Sequence, residues 1–235
     1  FADWYNCSYK VGIVVSHLFS IAIDGPVAVG KTVVGKILAK KLGFYYLDTG
    51  LMYRAVTYAL LTNDISMEDE SSVFEFVKDL DISVEFLEED QKVIVSGEDI
   101  SKSLRIKLVE EHVSFVSSLS HVRSKLVQLQ REIAENNSIV MVGRDIGTVV
   151  LPKANLKVFL TASEFVRASR RYEERKQTQQ IVDFDEVLAG IQNRDLKDST
   201  RDVSPLKKSS DAILIDTTDK SVEEVVSLLI RLIEK

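Results

Sequence analysis

Gly25-Pro26-Val27-Ala28-Val29-Gly30-Lys31-Thr32 satisfies the pattern G-x-x-x-x-G-K-[ST], with Val33 directly after it. Each residue type in this run suits the holding of a polyphosphate. Glycines let the backbone bend until successive N–H groups point inward and cradle phosphate oxygens. A helix that begins at the end of such a loop adds free N–H groups and a partial positive charge. Lys31 supplies a point charge that reaches β and γ phosphates, and the Thr32 hydroxyl is a ligand for Mg²⁺.

The flanking segments are the ones this chemistry needs. Ser20 to Ile23 is a short apolar run that reads as a buried strand. Thr32 to Leu42 carries Val33, Val34, Ile37 and Leu38 at helical spacing, with Lys36, Lys40 and Lys41 on the other side. Phe44 to Leu47 repeats the strand pattern, ends in Asp48-Thr49-Gly50, and is followed by a helix over Leu51 to Leu61 that carries Tyr53 and Arg54. Two strand–polar turn–helix units predict a parallel sheet flanked by helices, with ligands at the carboxyl ends of the strands. Lys31, Thr32, Asp48 and Thr49 are then expected to face one cleft.

From Thr62 to about Ser103 the texture changes. Acids crowd Glu68 to Glu70, and Ile82–Phe86 and Lys92–Val95 alternate apolar and polar around Glu88-Glu89-Asp90. That pattern predicts a hairpin with one dry face, in a small insert beside the parallel sheet. Leu104 to Asn136 reads as a helix pair broken near Ser117 to Ser120. Ile139–Val142 and Leu156–Leu160 read as strands, and Ser163 opens a charged helix with Arg167, Arg170, Arg171 and Arg175. Gln177 to Gln180 is a polar break, and Asp183 to Asp198 a further helix. Ala212–Ile215 is the last strand, before an amphipathic helix over Asp219 to Glu234 with Ser221 and Glu224 spaced as a capping box.

The 235 residues suffice for one sizeable core with a small appended module. The net charge of −6 argues against a general nucleic-acid binder. Cys7 is the single cysteine, so no intrachain disulfide can form, which fits a reducing compartment, and the three histidines show no zinc-site spacing. Residues 1–18 read as an N-terminal extension without signal-peptide features, and 19–235 as one domain; a cytoplasmic monomer with no membrane contact is expected.

Arginines decide which phosphate chemistry the loop serves. Arg54, Arg123, Arg144, Arg194 and Arg201 all fall near strand or helix ends. Any one alone reads as a solvated surface residue. As a set they suit a phosphoryl transferase whose acceptor is itself phosphorylated: two anionic groups repel, and fixed guanidiniums offset that repulsion.

From about Ser20 onward the chain resembles the bacterial cytidylate kinases. The resemblance is carried by Ile23-Asp24-Gly25-Pro26, Leu47-Asp48-Thr49-Gly50 and Met52-Tyr53-Arg54-Ala55-Val56. It continues through Ser114, His121-Val122-Arg123 and Gly143-Arg144-Asp145-Ile146-Gly147-Thr148, then Arg170-Arg171, Arg194-Asp195, Asp198-Ser199, Arg201 and Pro205-Leu206. It implies a P-loop nucleoside monophosphate kinase fold, in which the insert, about 62–103, belongs to a monophosphate-binding domain and about 168–186 forms a lid. ATP, Mg²⁺ and CMP or dCMP are the implied ligands. Gly25 to Val33 would hold ATP; Arg54, Arg144 and Arg201 the acceptor phosphate; Ser114, Arg123 and Asp145 the cytosine; and Arg194 and Asp198 the ribose. Asp48, Thr49 and Tyr53 would join the acceptor site. Lys31, Arg144, Arg170, Arg171 and Arg201 would carry the transfer, with Arg170 and Arg171 swinging onto ATP phosphates as the lid closes.

Two departures from the family pattern stand out. Ala28 and Val29 are bulkier than usual, and Ala28 is expected to keep a negative φ. Val142 replaces an acid that usually supports the Mg²⁺ shell, which leaves Asp24 or Asp48 to compensate. Alternative readings are a kinase for another small acceptor (another nucleotide, shikimate or dephospho-CoA), or a nucleotide-binding regulator with weakened catalysis.

Overall fold

A computed structural model describes residues 17–88, 90–177 and 183–234. Phe1 to Val15 with Cys7, Glu89, and residues 178–182 of the polar break and the expected lid lie outside the described residues.

β1 (Ser20–Asp24) is the middle of a five-stranded sheet, with β2 (Tyr45–Asp48), β6 (Ile139–Gly143), β7 (Leu156–Thr161) and β8 (Ile213–Asp216) in the spatial order β2-β6-β1-β7-β8. All four pairings are parallel. Side chains alternate between faces along each strand. Ile21, Ile23, Val140 and Val142 enter one apolar cluster, whereas Ala22, Ile139 and Met141 enter the other. Burial on both sides is why β1 and β6 read as unbroken apolar runs.

One face is covered by α1 (Lys31–Leu42) and α8 (Val222–Ile233), through Val34, Leu38, Val225 and Leu229. Ser221 caps α8 by accepting from the Glu224 N–H, and Glu224 returns the bond, so the capping box forms as its spacing predicts. The other face is covered by α2 (Thr49–Thr62) and by α5 (Ser120–Glu135), with α4 (Lys107–Val116) packed on α2. The helix pair breaks at the Ser117–Leu119 turn.

The insert contains β3 (Ile82–Phe86), β4 (Gln91–Val95) and the short β5 (Glu98–Asp99) in an antiparallel sheet. A helix absent from the sequence reading, α3 (Glu70–Asp79), precedes them. Its cap is Asp69, which accepts from the Ser71 and Ser72 N–H groups. Val73, Val77, Ile82, Val93 and Val95 form the dry face and run on without interruption into the cluster beneath α2.

α6 (Glu164–Gln177) and α7 (Phe184–Thr200) pair over a small third cluster of Ala168, Val187 and Ile191. Val27 and Ala28 of the glycine loop pack against it. No helix among the described residues is long and apolar enough to cross a membrane.

Candidate active site

The carboxyl ends of β1, β2 and β6 deliver the glycine loop, Asp48 and Arg144-Asp145 to one side of the sheet. Gly25 leaves β1 with φ +150°, and a Cβ there would lie 2.3 Å from the Leu160 carbonyl oxygen. Gly30 enters α1 in the left-handed region at φ +93°. Ala28 is also left-handed, at φ +60°, which corrects the expectation of a negative value. That conformation costs an alanine about 1 kcal/mol; the contact of the loop with the α6–α7 cluster accompanies it.

Lys31 is buried, and its Nζ donates to the Gly25 and Pro26 carbonyls at 2.7 and 2.6 Å. Burial, and after it the charge of Arg144, hold its pKa well below the usual lysine value. A cation so placed gains most from an arriving anion. Thr32 Oγ1 donates to Asp48 Oδ2 at 3.2 Å, while Asp48 Oδ1 caps α2 through the Gly50 N–H at 3.0 Å. Asp48 is further tied to the insert, its backbone N–H donating to Gln91 Oε1 at 2.5 Å. Thr49 Oγ1 donates to the Val142 carbonyl at 3.0 Å.

Two ion pairs follow the end of β6. Arg123 Nη2 makes a short contact to Asp145 Oδ2, with both side chains almost fully buried. Its Nη1 donates to the Ser117 carbonyl at 3.1 Å, and its guanidinium lies over the Tyr53 ring. Arg201 Nη2 approaches the other Asp145 oxygen at 3.9 Å. Burial raises the Asp145 pKa even against these cations. Arg144 Nε donates to Asp198 Oδ2 at 2.9 Å. Burial pushes the Asp198 carboxyl up, but Arg144 and Arg194 overcome it and hold it below the usual range.

Arg194 shares the field of Arg144 and Asp198, yet its buried Nε has no partner among the described residues. Burial and Arg144 lower its pKa to about 10. The helical neighbours Arg194 and Asp198 therefore do not form the i,i+4 bond their spacing allows; Asp198 is taken by Arg144. Arg54 donates to the Leu104 carbonyl at 3.2 Å and lies 3.6 Å from Glu110. Arg171 is held by Glu110 and Glu174 at 2.8 and 2.9 Å. Arg170 stands apart from this group: it donates to Thr217 Oγ1 and O at 3.0 and 2.7 Å, just beyond β8. Tyr53 is buried beneath Arg123 and its hydroxyl has no partner among the described residues. Ser114 sits in the last turn of α4, half-buried.

Asp24 does not turn toward Thr32. Its two oxygens accept from the Ile146 and Gly147 N–H groups at 2.8 and 2.7 Å, which pins the turn after Arg144-Asp145 to the end of β1. Val142 points into the apolar layer, where its methyl and the Tyr46 ring crowd Gly35. The carboxylate left beside Thr32 is Asp48. A hydroxyl and one carboxylate at a helix N-terminus fit a Mg²⁺ that keeps waters and phosphate oxygens in its shell.

Gln91 and Glu110 escaped sequence reasoning, and Arg167 and Asp195 were named in it without their contacts to the loop. Arg167 and Asp195 were visible as charges on helices, but nothing local marks them as partners of the loop.

The cytidylate kinase family profile matches residues 21–235. A cytidylate kinase of Caldanaerobacter subterraneus is 50% identical over 92% of this chain and 94% of its own length. One of Carboxydothermus hydrogenoformans is 47% identical over 91% and 96%. That of Bacillus subtilis is 43% identical over 92% and 96%. A loop built for phosphates, arginines and acids gathered at the same sheet edge, and matches along nearly the whole domain agree: the chain belongs to the cytidylate kinase family.

Proposed function

We propose that the protein transfers the γ-phosphate of ATP to CMP or dCMP, yielding ADP and CDP or dCDP by direct in-line displacement. The observation that carries this reading is the position of Arg144. It binds Asp198 at 2.9 Å and directly follows Gly143, which pairs with Asp24 just before the glycine loop, so a donor phosphate on Lys31 and an acceptor phosphate on Arg144 would be neighbours.

In this reading Lys31 exchanges the Gly25 carbonyl for donor phosphate oxygens, a trade of a neutral acceptor for charged ones, and stays on the Pro26 carbonyl. Arg144, Arg54 and Arg201 hold the acceptor phosphate and offset the repulsion between the two anions. Asp145, Arg123 and Ser114 read the cytosine, which offers one amino donor and two acceptors. Asp198 and Arg194 receive the ribose hydroxyls. Arg170 and Arg171 reach the donor phosphates after leaving Thr217 and Glu110, and the lid excludes water. Thr32, with Asp48 beside it, would hold Mg²⁺, which would supply positive charge to offset that of the donor phosphates. The insert, tied to Asp48 through Gln91, belongs to the acceptor-binding side.

The test is a coupled assay of ADP formation across the common nucleoside monophosphates. Turnover with CMP and dCMP well above that with AMP, and above that with no acceptor, supports the assignment. Equal ADP release with AMP or without acceptor contradicts it.

A further inference from the structure

We infer that Asp195 and Arg167 are positioning residues for the donor nucleotide: they set the orientation of the Pro26–Val27 peptide and, through it, of Lys31. This rests on the loop being the ATP site.

The peptide unit between Pro26 and Val27 is held at both ends. Its carbonyl accepts from Lys31 Nζ at 2.6 Å, and its N–H donates to Asp195 Oδ1 at 3.3 Å. In a trans peptide these two groups point in opposite directions within one plane. Fixing the N–H therefore fixes the direction in which the carbonyl presents Lys31. The next carbonyl, that of Val27, accepts from Arg167 Nη1 at 3.3 Å. Arg167 Nη1 also makes a short bond to Asp195 Oδ2, so the guanidinium, the carboxylate and the Val27 backbone close a ring. Arg167 Nε anchors the ring to the Ala162 carbonyl at 3.2 Å, just past β7.

A carboxylate beside a phosphate-binding loop is an electrostatic liability. Two features make it tolerable. Arg167 neutralises it and is itself only 5% exposed, so the pair is little screened by solvent. The carboxylate also takes the Val27 N–H away from the phosphates, which leaves the later N–H groups of the loop and α1 to face them. The two partners lie on α6 and α7, and the Val27 and Ala28 side chains dock on the cluster between those helices. The loop and the helix pair thus share both an apolar contact and an ion pair.

The experiment compares the wild-type protein with Asp195→Ala, Asp195→Asn and Arg167→Lys. It measures the dissociation constant of MgATP without acceptor, KM for ATP and for CMP, kcat, and the melting temperature. Asp195→Ala is expected to weaken MgATP about tenfold, since it removes a charge-assisted partner of the loop. kcat should fall, and KM for CMP should stay within about twofold. Asp195→Asn keeps an oxygen for the Val27 N–H and should recover part of the ATP affinity. Arg167→Lys has one ammonium where three bonds are needed and should behave like Asp195→Ala. A lowered melting temperature with ATP affinity unchanged, or equal rises in KM for both nucleotides, overturns the inference in favour of a purely structural pair. Should Asp195→Ala not fold, Asp195→Asn and Arg167→Lys decide on the same ATP-against-CMP split. MgATP binding is read without acceptor, so a wrong acceptor assignment, which the nucleotide panel reveals, leaves this test intact.

Discussion

Glu110 on α4 receives Arg171 on α6 at 2.8 Å, and the same carboxylate lies 3.6 Å from Arg54 and 3.8 Å from Arg175. Burial pushes its carboxyl up, but Arg171 and Arg54 outweigh that and keep it ionised below the usual range. A carboxylate thus occupies guanidiniums assigned to phosphates. Glu110→Gln should release them. We expect KM for ATP and CMP to fall by about threefold or more, because substrate no longer competes with an internal anion. The nucleotide-free protein should melt earlier, its clustered arginines having lost their counter-ion. Steady-state kinetics and thermal melting check both; a rise in either KM contradicts the competition.

Gly25 is fixed by two independent constraints, its φ of +150° and the Leu160 carbonyl 2.3 Å from where a Cβ would stand. Neither backbone can yield without moving β1 or β7. Gly25→Ala should cost about 3 kcal/mol or more and abolish ATP binding. Urea unfolding and calorimetry with MgATP measure the two effects. A variant of near wild-type stability that still binds ATP is the contrary result.

Asp24 gives a pH signature of definite sign. Burial, opposed by the Ile146 and Gly147 N–H groups, raises its pKa from 3.8 to about 6. Between those values the folded chain keeps a proton that the unfolded chain has lost. The contribution of this group is therefore fully present at acid pH and declines as pH rises from about 4 to about 6. At about 1.4 kcal/mol per pKa unit the decline is on the order of 3 kcal/mol. The stability difference between wild type and Asp24→Asn, from urea unfolding at pH 4 and pH 7, should shift against wild type by that order. A difference independent of pH contradicts the assignment.

The parts legible in the sequence were those whose cause is local. The parallel strands announced themselves as apolar runs, the α8 cap through Ser221 and Glu224, and the break between α4 and α5 through the Ser117–Ser120 polar turn. α3 was missed because Glu68 to Glu70 drew attention as charge, while Asp69 with Ser71 and Ser72 made a cap and Val73 and Val77 a buried stripe. The remaining gaps are contacts between distant segments. Asp24 reaches Gly147, Asp195 reaches Val27 and Gln91 reaches Asp48 across 123, 168 and 43 positions. Spacing cannot reveal such pairs, because the sheet order brings them together. Ala28 shows the same limit: its left-handed backbone accompanies packing on helices more than a hundred residues later.

Arg144 offers the most direct test of the central claim, since it joins the Lys31 field to Asp198. ATP labelled at the γ position should pass its label to CMP in a single turnover by the wild-type protein. Arg144→Ala should slow that transfer by about a hundredfold or more while circular dichroism stays unchanged. Label appearing as free phosphate at the same rate with or without CMP, or transfer by Arg144→Ala within about threefold of wild type, would contradict a pocket in which guanidiniums align the acceptor against the donor.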